Sequence, residues 1–99
     1  MFEQAVVFEV TGCVNLDTVV GMQLQGFDVI GDASFQETGV RIDLDKAQIE
    51  GSAILALLIS WKRYAQGFNV TLSFENAPAS LRQMAAASAV DTILQFDSP

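Results

Sequence analysis

Residues 40–74 read VRIDLDKAQIEGSAILALLISWKRYAQGFNVTLSF, and their pattern decides the fold. Val40, Ile42 and Leu44 alternate with Arg41 and Asp43, the period of a strand with one apolar face. Residues 52–66 carry apolar side chains at three- and four-residue steps and are followed by Gly67, which suits a helix and its C-terminal cap. Residues 69–74 (NVTLSF) alternate again. Strand, helix and strand in that order predict a βαβ unit, with parallel strands and a right-handed crossover.

Outward from this unit the same rules apply. Residues 4–11 (QAVVFEVT) predict a strand that Gly12 ends. Residues 15–30 place Leu16, Val19, Val20, Leu24, Phe27 and Ile30 at helical spacing, with Asn15 or Asp17 as the cap. Gly21 and Gly26 each cost that helix about 1 kcal/mol relative to Ala, so it depends on packing. Residues 31–38 (GDASFQET) predict a polar surface connection. Pro78 suits a first helical turn ahead of residues 79–89, and residues 91–96 fit a short strand or a last helical turn equally. The expected architecture is a single α/β domain spanning 1–99, a small and mostly parallel sheet with helices packed on it.

Composition narrows the function. The chain is 51% hydrophobic and 17% charged, apolar enough to leave surface for a partner. Residues 1–50 hold nine acids against Arg41 and Lys46, whereas residues 51–99 hold three acids against Lys62, Arg63 and Arg82. The acidic first half argues against nucleic acid and anionic lipid as ligands. Histidine is missing, which removes the commonest general base, the histidine-dependent nucleophile systems and most zinc sites. Cys13 is the one cysteine and reads as a small buried thiol in a reducing compartment. No basic-then-apolar leader precedes the first periodic segment, and the apolar stretch 52–61 is far short of the ~20 residues of a membrane span. A soluble cytoplasmic protein is expected. No phosphate-loop, dinucleotide or metal-binding spacing occurs, so no cofactor, metal, small-molecule substrate or catalytic residue is assigned.

At about 100° per residue from Ser52, one side of the second helix gathers Ile54, Leu57, Leu58, Trp61 and Ala65, the side expected on the sheet. The other side collects Ser52, Leu55, Ala56, Ile59, Lys62, Arg63 and Gln66. Leu55 and Ile59 thus stand where a solvated helix carries charge. Either a neighbouring helix covers them, or they form a docking patch rimmed by Lys62 and Arg63. Ser52 follows Gly51 at the helix start, where its hydroxyl fits an N-cap; a phosphate there would instead meet free N–H groups and the positive end of the helix dipole. Asp43 and Asp45 alternate near a strand end, too few ligands for a specific cation site and more consistent with a charged edge.

The order of these segments, with VRIDLDKAQIEGSAILALLISWKRYA followed by NVTLSFENAPASLRQMAAASAVDTIL, resembles a STAS domain over nearly the whole chain. Within that family, Leu55-Ala56-Leu57-Leu58 with Trp61, and Phe74, Asn76, Pro78 and Leu81, look most like the MlaB-like accessory subunits of phospholipid ABC transporters. The resemblance implies a STAS-like (SpoIIAA-like) fold and a non-enzymatic protein that binds the transporter's ATPase subunit in the cytoplasm and reaches the inner membrane through that complex. It implies docking through Ser52, Leu55, Ala56 and Ile59, with the loop 13–16, including Asn15, nearby. Ser52 falls on the position that is the phosphoacceptor in anti-sigma factor antagonists, the alternative function, whose partner is an anti-sigma factor kinase. Two departures weaken that kinase-read signature: Gly51 replaces the acid before the serine, with Glu50 one place earlier, and Ile54 replaces a small glycine.

Overall fold

Val6, Phe8 and Val10 on one strand and Val40, Ile42 and Leu44 on the next leave each strand with one apolar side, and pairing in register gathers those sides on one sheet face that helices can cover. In the computed structural model, which describes residues 5–96, this is the arrangement found. The order is β1 (Ala5–Glu9), β2 (Gly12–Val14), α1 (Val19–Phe35), β3 (Gly39–Asp43), β4 (Ala47–Ile49), α2 (Ala53–Gly67), β5 (Leu72–Glu75), α3 (Ala79–Ala87) and α4 (Asp91–Leu94). Gln4, the first residue of the expected strand, lies outside the described residues.

The main sheet runs β1-β3-β5 with every pair parallel, so β1-α1-β3 and β3-α2-β5 are two βαβ units sharing a strand. Val6 lies opposite Val40, Phe8 opposite Ile42, and Ile42 opposite Phe74. Val10, Val40, Ile42, Leu44, Leu72 and Phe74 are buried beneath the helices. The other sheet face carries Ala5, Val7, Glu9, Arg41, Asp43, Ser73 and Glu75 and is open, although parallel sheets are ordinarily covered on both sides. Polar residues make this tolerable: Arg41 crosses from β3 to β5 and donates from Nε and Nη2 to the two Glu75 carboxylate oxygens at 2.7 and 2.9 Å.

Trp61 joins the layers. Its fully buried ring meets Phe8 of β1 edge-on at 5.8 Å between centroids, and its Nε1 donates to the Gln23 carbonyl of α1 at 3.1 Å. Gly26 makes this possible, because a Cβ there would overlap the indole. The glycine expected to weaken α1 is thus the notch by which α1 sits on α2.

Several boundaries differ from the sequence expectation. A second parallel pair, β2 with β4, continues the first two strands after a break, with Cys13 opposite Gln48 and Val14 opposite Ile49. Helix α1 begins at Val19 rather than Asn15, because the Asn15 Oδ1 accepts the Asp17 and Thr18 amides at 2.9 and 3.1 Å and holds residues 15–18 in a turn. It then runs through Gly31 to Phe35, where a surface connection was expected. Gly67 is the last residue of α2 and not its left-handed cap; that conformation belongs to Asn69 at φ 58°. The segment 91–96 resolves to the short helix α4, whose Leu94 is fully buried.

Candidate partner-docking site

The first and second βα connections meet at the C-terminal ends of the strands, the edge where open parallel sheets gather their functional loops. In the first connection the Thr18 hydroxyl donates to the Cys13 carbonyl at 2.7 Å and accepts the Asn15 amide at 3.0 Å, closing residues 13–18 on themselves. In the second, the Glu50 amide donates to the Val14 carbonyl at 3.1 Å. The Asn15 Nδ2 then donates to the Glu50 Oε1 at 3.0 Å, so one carboxylate holds both loops together. That hydrogen bond, and then the neighbouring Cys13 thiol, keep the Glu50 carboxyl below the usual carboxylate range, although the thiol itself donates to the Gln48 Oε1 at 3.3 Å. The same carboxylate, with a smaller contribution from burial, pushes the Cys13 thiol above its ordinary value. An upward shift disfavours the thiolate, and so argues against a nucleophilic role for Cys13.

Gly51 follows at φ 77°, a conformation that costs a side-chain-bearing residue about 1 kcal/mol or more. This is a local physical reason for glycine at position 51. Ser52 comes next in the N-cap position, with φ −103° and ψ 3°. Its carbonyl accepts the Leu55 amide at 3.0 Å, but its exposed hydroxyl makes no capping hydrogen bond.

The α2 face differs from the expected patch. Leu55 is only 8% exposed and belongs to the core. Helix α2 packs on more than the sheet: α1 meets it, with Phe27 stacked on Tyr64 at 4.2 Å, and α4 packs on it as well. Lys62, expected as a free rim charge, is half-buried and donates from Nζ to the Leu72 carbonyl of β5 at 3.2 Å. The outward strip is therefore Ser52, Ala56 and Arg63, which are exposed, with half-buried Ile59 between them. Ala56, Ile59, Ser60, Arg63 and Tyr64 line a shallow depression there.

Asn15 and Ser52 are thus brought to one end of the domain, Ala56, Ile59 and Arg63 continue from it along α2, and Leu55 and Lys62 point elsewhere. One residue that the sequence pattern had assigned to a buried helix face belongs with this surface. Leu16, beside Asn15, is 83% exposed. The Asn15 to Thr18 turn was the signal, since an Asn followed by Asp and Thr competes with helix formation and leaves the intervening side chain outside.

Asp43 and Asp45 have a structural use. The Asp43 Oδ1 accepts the Asp45 amide at 3.0 Å and the Asn76 Nδ2 at 3.1 Å, tying the end of β3 to the loop after β5. Among the described residues no group of three or more His, Cys, Asp or Glu side chains is placed to hold a metal ion, and no helix is long and apolar enough to cross a membrane. Comparison with models of known protein families gave no match, and comparison with curated proteins gave none at a significant level.

Proposed function

We propose that this chain is a non-enzymatic STAS-type accessory subunit that binds the ATPase subunit of an Mla-type phospholipid ABC transporter and supports its assembly or activity. The observation that carries this reading is the Asn15–Glu50 hydrogen bond, which fixes two loops beside an exposed Ser52 and leaves Leu16, Ala56, Ile59 and Arg63 around them. Scattered aliphatic residues within a polar rim, held on hydrogen-bonded loops, suit a protein contact better than a reaction. The withdrawal of Leu55 into the core moves the apolar part of the surface toward Leu16 and Ile59.

This changes the choice of test. A charge at Leu55 would have to be buried in the core and would disturb folding and docking together, whereas Ser52→Arg and Ala56→Asp alter exposed positions only. Both variants are expected to lose co-purification with the ATPase subunit while keeping the wild-type circular dichroism and thermal transition. Retained co-purification by folded variants rejects this face.

A second reading, an anti-sigma factor antagonist switched by phosphorylation of Ser52, draws support from the hydroxyl's exposure and lack of a capping bond. Incubation with an anti-sigma factor kinase and ATP is expected, on this reading, to give a phosphate adduct in the intact mass that Ser52→Ala abolishes. No adduct sinks it.

A further inference from the structure

We propose that the outward face of α1 is a second docking surface, separate from the Ser52 end, and that its occupant is a basic amphipathic helix of a partner protein. Val20, Leu24 and Phe35 are 62, 58 and 83% exposed and recur at four- and eleven-residue steps, so they share one side of the helix along about 22 Å. Asp28 and Asp32 are exposed beside them, and neither has an ion-pair partner among the described residues. The first basic residue in the chain is Arg41, beyond the end of α1 and committed to Glu75. The face thus carries exposed apolar side chains toward both ends with Gly31 between them, and its only charges are acidic.

Two features of α1 act against its own stability and fit a bound partner. Asp32 in the last turn and Glu37 just past it oppose the negative end of the helix dipole, with no basic residue there to offset them. Gly31 lies seven residues after Leu24 and four before Phe35, on the same side, and a Cβ there would meet nothing. Gly26 is filled by Trp61, whereas Gly31 leaves an open notch midway along the apolar row. A partner helix would set a large side chain into that notch, as ridges enter grooves between packed helices, and its Lys or Arg residues would face Asp28 and Asp32. Charge selects this occupant over the others: a second copy would bring the same acids together, and anionic lipid would be repelled.

The probe is a labelled synthetic peptide of about five helical turns with Leu on one face and Lys on the other, followed by fluorescence anisotropy against the full chain. Saturable binding is expected, weakened at least tenfold by Leu24→Ser combined with Phe35→Ser. Asp28→Asn with Asp32→Asn is expected to flatten its salt dependence. Gly31→Leu separates packing from folding, since it is expected to raise helix stability yet weaken binding. Ser52→Arg is expected to leave binding unchanged. The proposal is overturned if no saturable binding occurs, if a scrambled peptide of equal composition binds as well, or if the Leu24 and Phe35 variants bind like wild type. Sedimentation showing self-association through this face, or pelleting with phosphatidylglycerol vesicles that Leu24→Ser abolishes, also overturns it.

Discussion

At the scale of single residues, two positions show how a side chain's cost is read only with its neighbour in view. Gly26 is a helix breaker in the sequence and a packing device in the structure, because the indole that fills its space comes from residue 61. No local pattern joins positions 26 and 61. Gly26→Ala gains about 1 kcal/mol of helix propensity and incurs about 1–3 kcal/mol or more of overpacking against a ring that cannot retreat from the core. Urea denaturation is expected to show net destabilisation with a red-shifted Trp61 emission; a more stable variant would mean the indole is free to move. Asp43 makes the corresponding point for charge. The Asp45 amide, then the Asn76 side chain, then Lys46 and Arg41 hold its carboxyl below the usual range. A group with a depressed native value contributes stability above its unfolded value, near 3.9, and that contribution disappears as pH falls through the native value. Asp43→Asn is therefore expected to flatten the loss of stability as pH falls below about 4, and parallel profiles would dismiss the tie.

At the scale of elements, the parallel βαβ core was legible because alternation in residues 40–44 and 69–74 and helical spacing in 52–66 are strong periodic signals. Helix ends were not, for a physical reason that three helices share. After α1, α2 and α3 the chain closes with the same pair of hydrogen bonds: Thr38 to Ala33 and Glu37 to Ser34, Val70 to Ala65 and Asn69 to Gln66, Val90 to Ala85 and Ala89 to Ala86. Each needs a left-handed residue, and Glu37, Asn69 and Ala89 supply it at φ near 58° without being glycine. The polar, turn-like composition of residues 31–38 therefore stops α1 too early, and a search for a glycine cap misplaces the left-handed residue of α2 at Gly67. Docking residues suffered from the same locality: Leu55 was judged from its own helix, while α4, which packs on that helix, is an element whose type the sequence left open. Glu37→Gly and Ala89→Gly are each expected to stabilise by about 0.5–1 kcal/mol, seen as a higher urea midpoint with an unchanged slope. Glu37→Ala isolates the charge: it is expected to recover only the smaller part that comes from removing an acid at the helix C-terminus. Loss of stability in the glycine variants would show that these ends close in some other way.

At the scale of the molecule, the helices gather on one sheet face and the charge gathers in the first half of the chain, so the two halves have different surfaces on one core. The C-terminal helices complete that core: Leu81, Ala85 and Leu94 are fully buried although α3 and α4 follow the last strand and form no βαβ crossover. If α4 is integral to the fold, loosening it must be felt at Trp61, the only tryptophan and the centre of the α1–α2–sheet junction. Leu94→Ala removes a fully buried side chain and is expected to cost about 2–5 kcal/mol. In a cooperative unit the Trp61 fluorescence transition and the far-ultraviolet dichroism transition shift together by that amount. An early loss of helix signal with the fluorescence midpoint unmoved would make α4 a separable flap.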